Sequence, residues 1–359
     1  MLSFKKRVFL KDRVLTSNKE RGEIIRRQIL RDVKHHPKDI AKHISTIFTI
    51  TPQATNNHLK RLETNGWLAS EGRGKGKQYF LGDKREYRSL FELTSDFTED
   101  KVWRDHFSFI FEGLNENVVD ICHYGFTEMV NNAIDHSEGH TVDISVERNF
   151  DEIKICIIDD GEGIFRRIKR LCELPEERQA LLELSKGKLT TDPDNHSGEG
   201  VFFTSRVFDV FEIDSTGLKF SHHDALDFDF LVDSELLSET SGTLVYMQIE
   251  RESKRTITEV FDQFTAGPDE FQFNKTVIPV KLASFENEKL VSRSQAKRLL
   301  SRVENFTTVI FDFEGVPSVG QAFADEIFRV YANKHPSIVL LPVEMNNTVE
   351  KMVKRALHK

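Results

Sequence analysis

The apolar positions of the first eighty residues predict three helices followed by two short strands. The helices cover 22–34, 37–44 and 53–65, and the strands cover 67–70 and 78–81. Thr51 followed by Pro52 is typical of a helix start, and Gly66 is typical of a helix end. Between the strands lies the basic, glycine-rich stretch 71–77. The pattern indicates a small helical domain that carries a hairpin.

The pattern changes in the middle of the chain, where helices and longer apolar runs follow each other. Helices are predicted over 100–113, over 126–137 and after Gly200, and strands over 153–158 and after Gly242. Charged residues dominate 83–100 and 164–197, so we expect a connector helix over 86–100 and a long surface segment between the two glycine elements. Residues 101–255 are therefore expected to form a second domain.

The last part of the chain, 275–359, alternates between strand and helix patterns. Strands are predicted over 276–282, 307–313 and 337–342, and helices over 292–303, within 316–334 and over 348–357. Strands that alternate with helices imply an α/β sheet that is parallel at least in part. The whole chain is thus predicted to be a multidomain α/β protein.

The charge of the chain is divided unevenly. Residues 1–85 hold 20 Lys and Arg against 8 Asp and Glu, whereas the remainder holds 30 against 50. A basic head on an acidic body suggests that the head meets a polyanion, although a solvated basic surface would look the same. The three scattered cysteines argue against a disulfide framework, and no apolar run reaches the length of a membrane span. We therefore expect a cytoplasmic protein without a membrane partner.

Three polar residues at a spacing of four stand out on the predicted helix over 126–137. Glu128, Asn132 and His136 would share one face of that helix. A carboxylate, an amide and an imidazole on one face suit a metal ion and a water, although such residues are often only a solvated face. His136, close to the helix end, also fits the role of a cap or core residue.

Glycine-containing elements follow this helix in a fixed order. Asp159, Gly161 and Gly163 close an apolar strand, Gly198 and Gly200 open a helix, and Gly242 and Thr243 open another strand. Each glycine element alone is a weak indication, and the signal is the order of the polar helix and the three glycine elements. The set resembles the GHKL ATP-binding fold of gyrase, the heat-shock chaperone ATPase, histidine kinases and mismatch-repair ATPases. The resemblance covers about 100–250 and implies a mixed sheet with helices on one face.

Chemical reasoning assigns the same roles as the resemblance. Asp159 at a strand end can accept a hydrogen bond from the amino group of a purine, and Gly161 and Gly163 allow close backbone approach. Free N–H groups near Gly200 suit phosphate oxygens, and Asn132 offers an oxygen to Mg²⁺. Glu128 is the candidate catalytic residue that orients or deprotonates a water. The resemblance adds His136, Gly198 and Thr243 to the nucleotide-binding set, and 164–197 corresponds to the mobile ATP lid of the family. Lys186 and Lys188 in this lid are candidate phosphate contacts or ordinary solvated lysines.

The head, residues 1–85, resembles the winged helix-turn-helix of bacterial transcription regulators. The resemblance is most specific over 50–68 and implies that the third helix enters a DNA major groove while the hairpin turn contacts backbone phosphates or the minor groove. The candidate DNA-binding residues are Gln53, Asn56, Asn57, Lys60, Arg73, Lys75 and Lys77. Winged helices also serve as protein-docking modules, which stays open as the alternative.

Residues 275–359 resemble a STAS-like domain, the fold of anti-sigma-factor antagonists. In that family a serine accepts phosphate near the position of Gln321, and Ser318 lies three residues earlier. Glutamine cannot accept phosphate, so the departure argues against phosphorylation at that position.

These domains together suggest an ATP- and Mg²⁺-binding regulator that controls a DNA-binding head. The alternatives are a serine/threonine kinase of the anti-sigma-factor type and a scaffold that binds ATP without turnover. ATP, duplex DNA and a regulatory protein are the expected partners, and a homodimer is compatible with both resemblances.

Overall fold

The structure is a computed structural model that describes residues 18–189, 198–224, 228–233, 241–265, 272–283 and 288–358. Two compact units divide the chain: residues 1–87 with 147–150, and residues 88–146 with 151–359. Residues 190–197, the last part of the expected lid, lie outside the described residues, and they include His196 and Ser197, which precede Gly198. None of the helices among the described residues is both long and apolar enough to cross a membrane.

The described part of the N-terminal unit contains three helices and an antiparallel hairpin. These are α1 (Asn18–Asp32), α2 (Ile40–Phe48), α3 (Pro52–Thr64), β1 (Leu68–Glu71) and β2 (Gln78–Leu81). The start of α3 follows the sequence signal, because the Thr51 hydroxyl accepts from the Ala54 N–H at 3.1 Å and Pro52 is the first helical residue. Helix α2 begins and ends later than expected, since the chain leaves it through Thr49 in the left-handed region (φ 51°). Ile29, Ile44 and Leu59 are fully buried where the three helices meet.

The described residues include a seven-stranded sheet with strand order β3-β4-β5-β9-β6-β7-β8. The strands are β3 (Arg85–Glu92), β4 (Thr141–Arg148), β5 (Glu152–Asp159), β6 (Val210–Ser215), β7 (Leu218–His223), β8 (Phe228–Asp233) and β9 (Thr243–Glu250). All pairings from β5 to β8 across this order are antiparallel. Strand β9, the last of these seven strands in the sequence, lies between β5 and β6 in the sheet.

The expected connector helix over 86–100 is wrong over most of its length, because β3 occupies residues 85–92 at one edge of the sheet and the next helix begins only at Glu99. Arg88 of β3 donates to Asp143 of β4 at 2.9 Å. An edge strand tolerates charged residues that would be costly in a central strand. The charged composition therefore resembles that of a linker even though the segment is extended and paired.

Helices pack on this sheet, and the longest of them is α6. The described helices of this region are α4 (Glu99–Val102), α5 (Ser108–Phe111), α6 (Glu116–His136), α7 (Ile164–Leu171), α8 (Arg178–Lys186), α9 (Gly200–Val207) and α10 (Ile257–Asp262). A π-helical turn, Trp103–Phe107, joins α4 to α5. Val118, Ile121, Phe126 and Val130 of α6 are fully buried. Burial of each of these large apolar side chains stabilises the fold by about 1.5–3 kcal/mol. Helix α6 thereby fixes its polar face, which begins with Glu128, beside the sheet.

The C-terminal part contains a smaller sheet with strand order β10-β11-β12, where β10 is Lys275–Pro279, β11 is Thr308–Asp312 and β12 is Val339–Val343. Both pairings are parallel, which confirms the expected parallel α/β arrangement. Its helices are α11 (Arg293–Leu300), α12 (Gln321–Asp325), α13 (Ala332–Lys334) and α14 (Asn347–Leu357), with a π-helical segment Glu326–Tyr331 between α12 and α13. Helix α11 starts with a capping box formed by Ser292 and Gln295.

Phenylalanines connect this C-terminal part to the larger sheet. Phe202 and Phe203 of α9 contact Phe264, which follows α10, and Phe273, which precedes β10. Phe273 in turn contacts Phe306 beside β11, with ring centroids 5.2 Å apart. Edge-to-face and tilted ring pairs of this kind add about 0.5–1.5 kcal/mol each to the burial of their area. The abundance of phenylalanine, 29 in the chain, thus has a partial explanation in this shared aromatic core.

Candidate functional site

A cavity of about 100 Å³ lies between α6, the ends of β5 and β9, and the helices α7 and α8. Four of the residues singled out from the sequence line it together: Asn132, His136, Asp159 and Thr243. Apolar side chains complete the wall, among them Ile157, Ile213 and Val245 from the sheet. Concave, mostly apolar sites with a few convergent polar groups are the usual form of a small-molecule site.

Asp159 ends β5 with its carboxylate held by the backbone. The N–H groups of Gly161 and Thr243 both donate to Oδ1, at 2.9 and 3.2 Å. Burial raises the pKa of Asp159 to about 6, and these two amides oppose the rise without cancelling it. With Oδ1 held by the two backbone donors, the carboxylate can present Oδ2 to a ligand in the cavity.

Thr243 connects the first and last glycine elements. Its N–H donates to Asp159, and its hydroxyl accepts from the Ile164 N–H at 3.0 Å. Ile164 is the first residue of α7. The threonine therefore fixes the start of α7 beside the Asp159 carboxylate, where both line the cavity.

The first glycine element packs against the end of α6. A Cβ on Gly161 would lie 2.0 Å from the Ser137 carbonyl oxygen, so no other residue fits there without a shift of the backbone. The Glu162 N–H donates to the same carbonyl at 2.9 Å. Gly163 has φ 95° and precedes α7. Gly161 is thus required by the contact between loop and helix, whereas its expected approach to a ligand stays a prediction.

Glu128 does not line the cavity but lies against the second glycine element. A Cβ on Gly200, the first residue of α9, would lie 2.0 Å from Glu128 Oε2. The carboxylate therefore abuts the N-terminal turn of α9, where unpaired N–H groups favour negative charge. Burial, Glu128 and Glu199 together raise the pKa of the Tyr124 hydroxyl on the same helix. Gly198 adopts φ 70° just before this turn.

The two lysines of the expected lid face away from the cavity. The Lys186 ammonium donates to Glu183 and to the carbonyls of Arg298 and Ser301, and the Lys188 ammonium donates to the Asn305 carbonyl. Neither lysine is among the cavity residues. Leu184 and Leu189, which bracket them in sequence, do line the cavity.

Several cavity residues were not identified from the sequence. Leu184 belongs to an apolar stripe that the sequence shows, but the stripe does not reveal which partner it meets. Arg167 on α7 also lines the cavity, and its guanidinium donates to Glu138 at 2.8 Å. No local pattern distinguishes Arg167 from the other arginines of α7. Ser137, the residue after the polar trio, was detectable only as a neighbour of His136.

The candidate DNA-binding residues lie in the N-terminal unit. Gln53, Asn56, Asn57 and Lys60 are all exposed on α3, while Leu59 and Leu62 of the same helix are buried. Arg73 is exposed at the hairpin turn, and Lys75 belongs to the turn Gly74–Gly76, with its side chain outside the described part. The Lys77 ammonium pairs with Glu63 at 3.0 Å, and this contact raises the pKa of the lysine.

Comparison with known families finds two domain matches in the chain. Residues 102–220 match the histidine kinase-like ATPase domain. Residues 295–350 match a STAS-like domain of unknown function. The matched ATPase segment contains α6, β5 and the start of α9, and so most of the residues around the cavity. A comparison with curated proteins returns no match.

The two matches confirm the expected ATPase-like and STAS-like domains at the level of the domain family. An ATPase domain of this kind indicates nucleotide binding and a regulatory role.

Proposed function

We propose that the protein is a nucleotide-controlled regulator that binds ATP with Mg²⁺ in the cavity beside Asp159 and transmits the bound state to its terminal domains. The observation that carries this proposal is the half-buried Asp159 carboxylate at the end of β5, held through one oxygen by two backbone amides. It lies in the segment that matches the histidine kinase-like ATPase domain.

Adenine recognition follows from the polarity of this carboxylate. Its second oxygen is an acceptor, and an amino group on a purine is the matching donor. The apolar wall formed by Met129, Ile157 and Val245 suits the faces of a flat base. A base that presents a carbonyl instead of an amino group would face acceptor against acceptor, so adenine is favoured over guanine at this point.

The residues present fit a magnesium ion held through nucleotide phosphates. The Asn132 amide donates weakly to the Met129 sulfur at 3.8 Å, which leaves its oxygen for a hard cation. No group of three His, Cys, Asp or Glu that could hold a metal occurs among the residues the structure describes. Mg²⁺ commonly keeps several waters and takes few protein ligands, so a single amide oxygen suffices. When bound, Mg²⁺ neutralises phosphate charge; Glu128, one turn earlier, is the group proposed to orient or deprotonate a water.

For the N-terminal unit we propose a winged helix that binds duplex DNA. Support comes from the helix order, the polar exposed face of α3 and the basic hairpin turn. The amides of Asn57 and Gln53 suit adenine edges, and Arg73 suits backbone phosphates. Lys77 would have to exchange Glu63 for phosphate. Changing Asn57 or Gln53 should relax base preference with little change in the salt dependence of binding.

Product analysis after incubation with radiolabelled ATP tests the proposal and its alternatives. Free phosphate indicates an ATPase, labelled protein indicates a kinase, and neither product together with measurable ATP binding indicates a scaffold. A protein that binds no adenine nucleotide by calorimetry in the presence of Mg²⁺ refutes the proposal.

A further inference from the structure

One wall of the nucleotide cavity belongs to a segment that is bound on its other side by the C-terminal domain. This segment, residues 178–189, consists of α8 and the three residues after it, and we call it the α8 segment. Leu184 and Leu189 of the segment line the cavity together with Asp159. Lys186, between them, has a side chain only 2% exposed and points to the opposite side.

The Lys186 ammonium has three partners, which equals its number of donors. It donates to Glu183 Oε1 at 2.7 Å, to the Ser301 carbonyl at 2.8 Å and to the Arg298 carbonyl at 3.1 Å. Both carbonyls belong to the C-terminal end of α11, where a cation is favoured by the helix dipole. Burial lowers the pKa of Lys186, as expected for an ammonium withdrawn from water. The Lys186 ammonium is therefore a buried, fully hydrogen-bonded cation that caps a helix of the C-terminal domain.

Further contacts bind the α8 segment to the same domain. The Thr276 hydroxyl of β10 donates to the Lys186 carbonyl at 2.7 Å. Lys188 donates to the Asn305 carbonyl at 3.1 Å, and its ammonium lies 5.5 Å from the ring centre of Phe273. A Cβ on Gly187 would lie 2.6 Å from the Phe273 ring, so the backbone of the segment rests directly on that ring. The contacts of residues 186–188 with the C-terminal domain thus lie between the two cavity contacts at Leu184 and Leu189.

We propose that Lys186 is a positioning residue: by fixing the α8 segment to the C-terminal domain it holds Leu184 and Leu189 in the cavity wall, so that adenine binding and docking of this domain favour each other. The inference rests on the proposed nucleotide function and deepens it. Coupling of two sites through one element is reciprocal, so bound nucleotide must stabilise the contact between the α8 segment and α11 by the same factor.

The competing role for Lys186 is a direct phosphate contact, and the two roles predict different ligand dependence. A phosphate contact matters only to ligands that carry phosphate. A wall position matters equally to adenosine and to ADP, because both place a base against the apolar wall.

The test compares three variants of the full-length protein. Lys186→Met keeps most of the side-chain stem and removes the ammonium, and Thr276→Val removes one hydroxyl bond to the same residue while leaving both charges in place. Lys297→Met is the matched control, since Lys297 is exposed on α11, the helix that Lys186 caps. Calorimetry measures the affinity for adenosine and for ADP, and hydrogen exchange measures the protection of amides in 298–306 with and without ADP.

We expect Lys186→Met to weaken adenosine and ADP binding by the same factor, about fivefold or more, as is typical of coupled sites. Thr276→Val should weaken both to a smaller degree, and Lys297→Met should weaken neither. ADP should slow exchange in 298–306 in the parent protein and have a smaller effect in Lys186→Met. If Lys186→Met does not fold, Thr276→Val alone carries the test by the same two measurements.

Loss of ADP affinity with unchanged adenosine affinity would assign Lys186 to phosphate and overturn the inference. Unchanged affinity for both ligands, or equal ADP-induced protection in parent and variant, would also overturn it. If the parent protein binds neither ligand, the proposed nucleotide function itself fails, which is a separate result.

Discussion

Replacing Asp159 by asparagine separates recognition of the base from stability of the fold. In the parent protein Oδ1 accepts from the Gly161 and Thr243 N–H groups. An asparagine at this position keeps those two bonds with its amide oxygen, so its NH₂ group must stand where Oδ2 stood. The variant therefore presents a donor to the purine amino group, which is also a donor.

The cost to binding has two parts. Loss of a hydrogen bond to a charged acceptor costs about 1.5–3 kcal/mol, and leaving opposed donors unsatisfied costs a further ~1–3 kcal/mol. The sum of about 2.5–6 kcal/mol corresponds to a dissociation constant weaker by about 70-fold to about 25,000-fold. Calorimetry with ADP and adenosine measures this directly.

The free energy of unfolding of the ligand-free Asp159→Asn variant should rise or remain unchanged. The unfolded chain releases the Asp159 proton near pH 3.8 and the folded chain near pH 6, because burial raises the pKa. The folded state therefore holds this proton more tightly, and the ionised carboxylate lowers the free energy of unfolding as pH rises through that window. A neutral asparagine removes this penalty, so the melting temperature of the ligand-free variant at pH 7 should not fall.

Asp160→Asn, the same change one residue later, is the matched control. The Asp160 carboxylate accepts from the N–H groups of His140 and Thr141 and from the Thr141 hydroxyl, and these contacts lower its pKa. This variant should lower the melting temperature and leave the affinity for adenosine within about twofold. Equal ADP affinity in Asp159→Asn and the parent protein, or an equal loss in both variants, would refute the assignment of the base contact to Asp159.

Three further outcomes are expected. Because burial raises the pKa of Asp159 to about 6, adenosine affinity should rise about tenfold from pH 5 to pH 7 and then level off, and a flat calorimetric profile would contradict the contact. Glu128→Ala should keep ADP affinity and lose phosphate release in a turnover assay, whereas equal turnover would exclude this residue as the base. The full-length protein should bind duplex DNA through residues 1–85, with an affinity that falls steeply as the salt concentration rises. Neutralising Arg73, Lys75 and Lys77 together should make this salt dependence less steep. Absence of DNA binding even at low salt would favour a protein-docking role for residues 1–85.

The part of the site that depends on local sequence was predictable. Asn132, His136, Asp159 and Thr243, all singled out from the sequence, line one cavity, because a strand-end carboxylate and polar residues at helical spacing leave a mark in the sequence itself. The start of α3 was equally local, since Thr51 and Pro52 specify it without help from other residues.

The rest depends on contacts that are distant in the chain. Lys186 meets Arg298 and Ser301, more than a hundred residues later, and nothing near the lysine distinguishes it from a solvated one. Strand β3 was missed for a related reason, because its pairing with β4 decides its structure while its charged composition resembles a linker. Burial and pairing at such positions are properties of the assembled sheet and domain.

The position of β9 has a consequence for how the protein is made. This strand lies between β5 and β6 although it is synthesised after both, so each of them keeps an open edge until residues 243–250 have left the ribosome. Open strand edges invite pairing with other chains, so nascent or truncated forms that end before 243 should be prone to aggregation. Thr243, the first residue of β9, also supplies an amide to Asp159, so the proposed adenine contact cannot be complete before the sheet is. Ligand binding by a growing chain would therefore report the moment at which its central sheet closes.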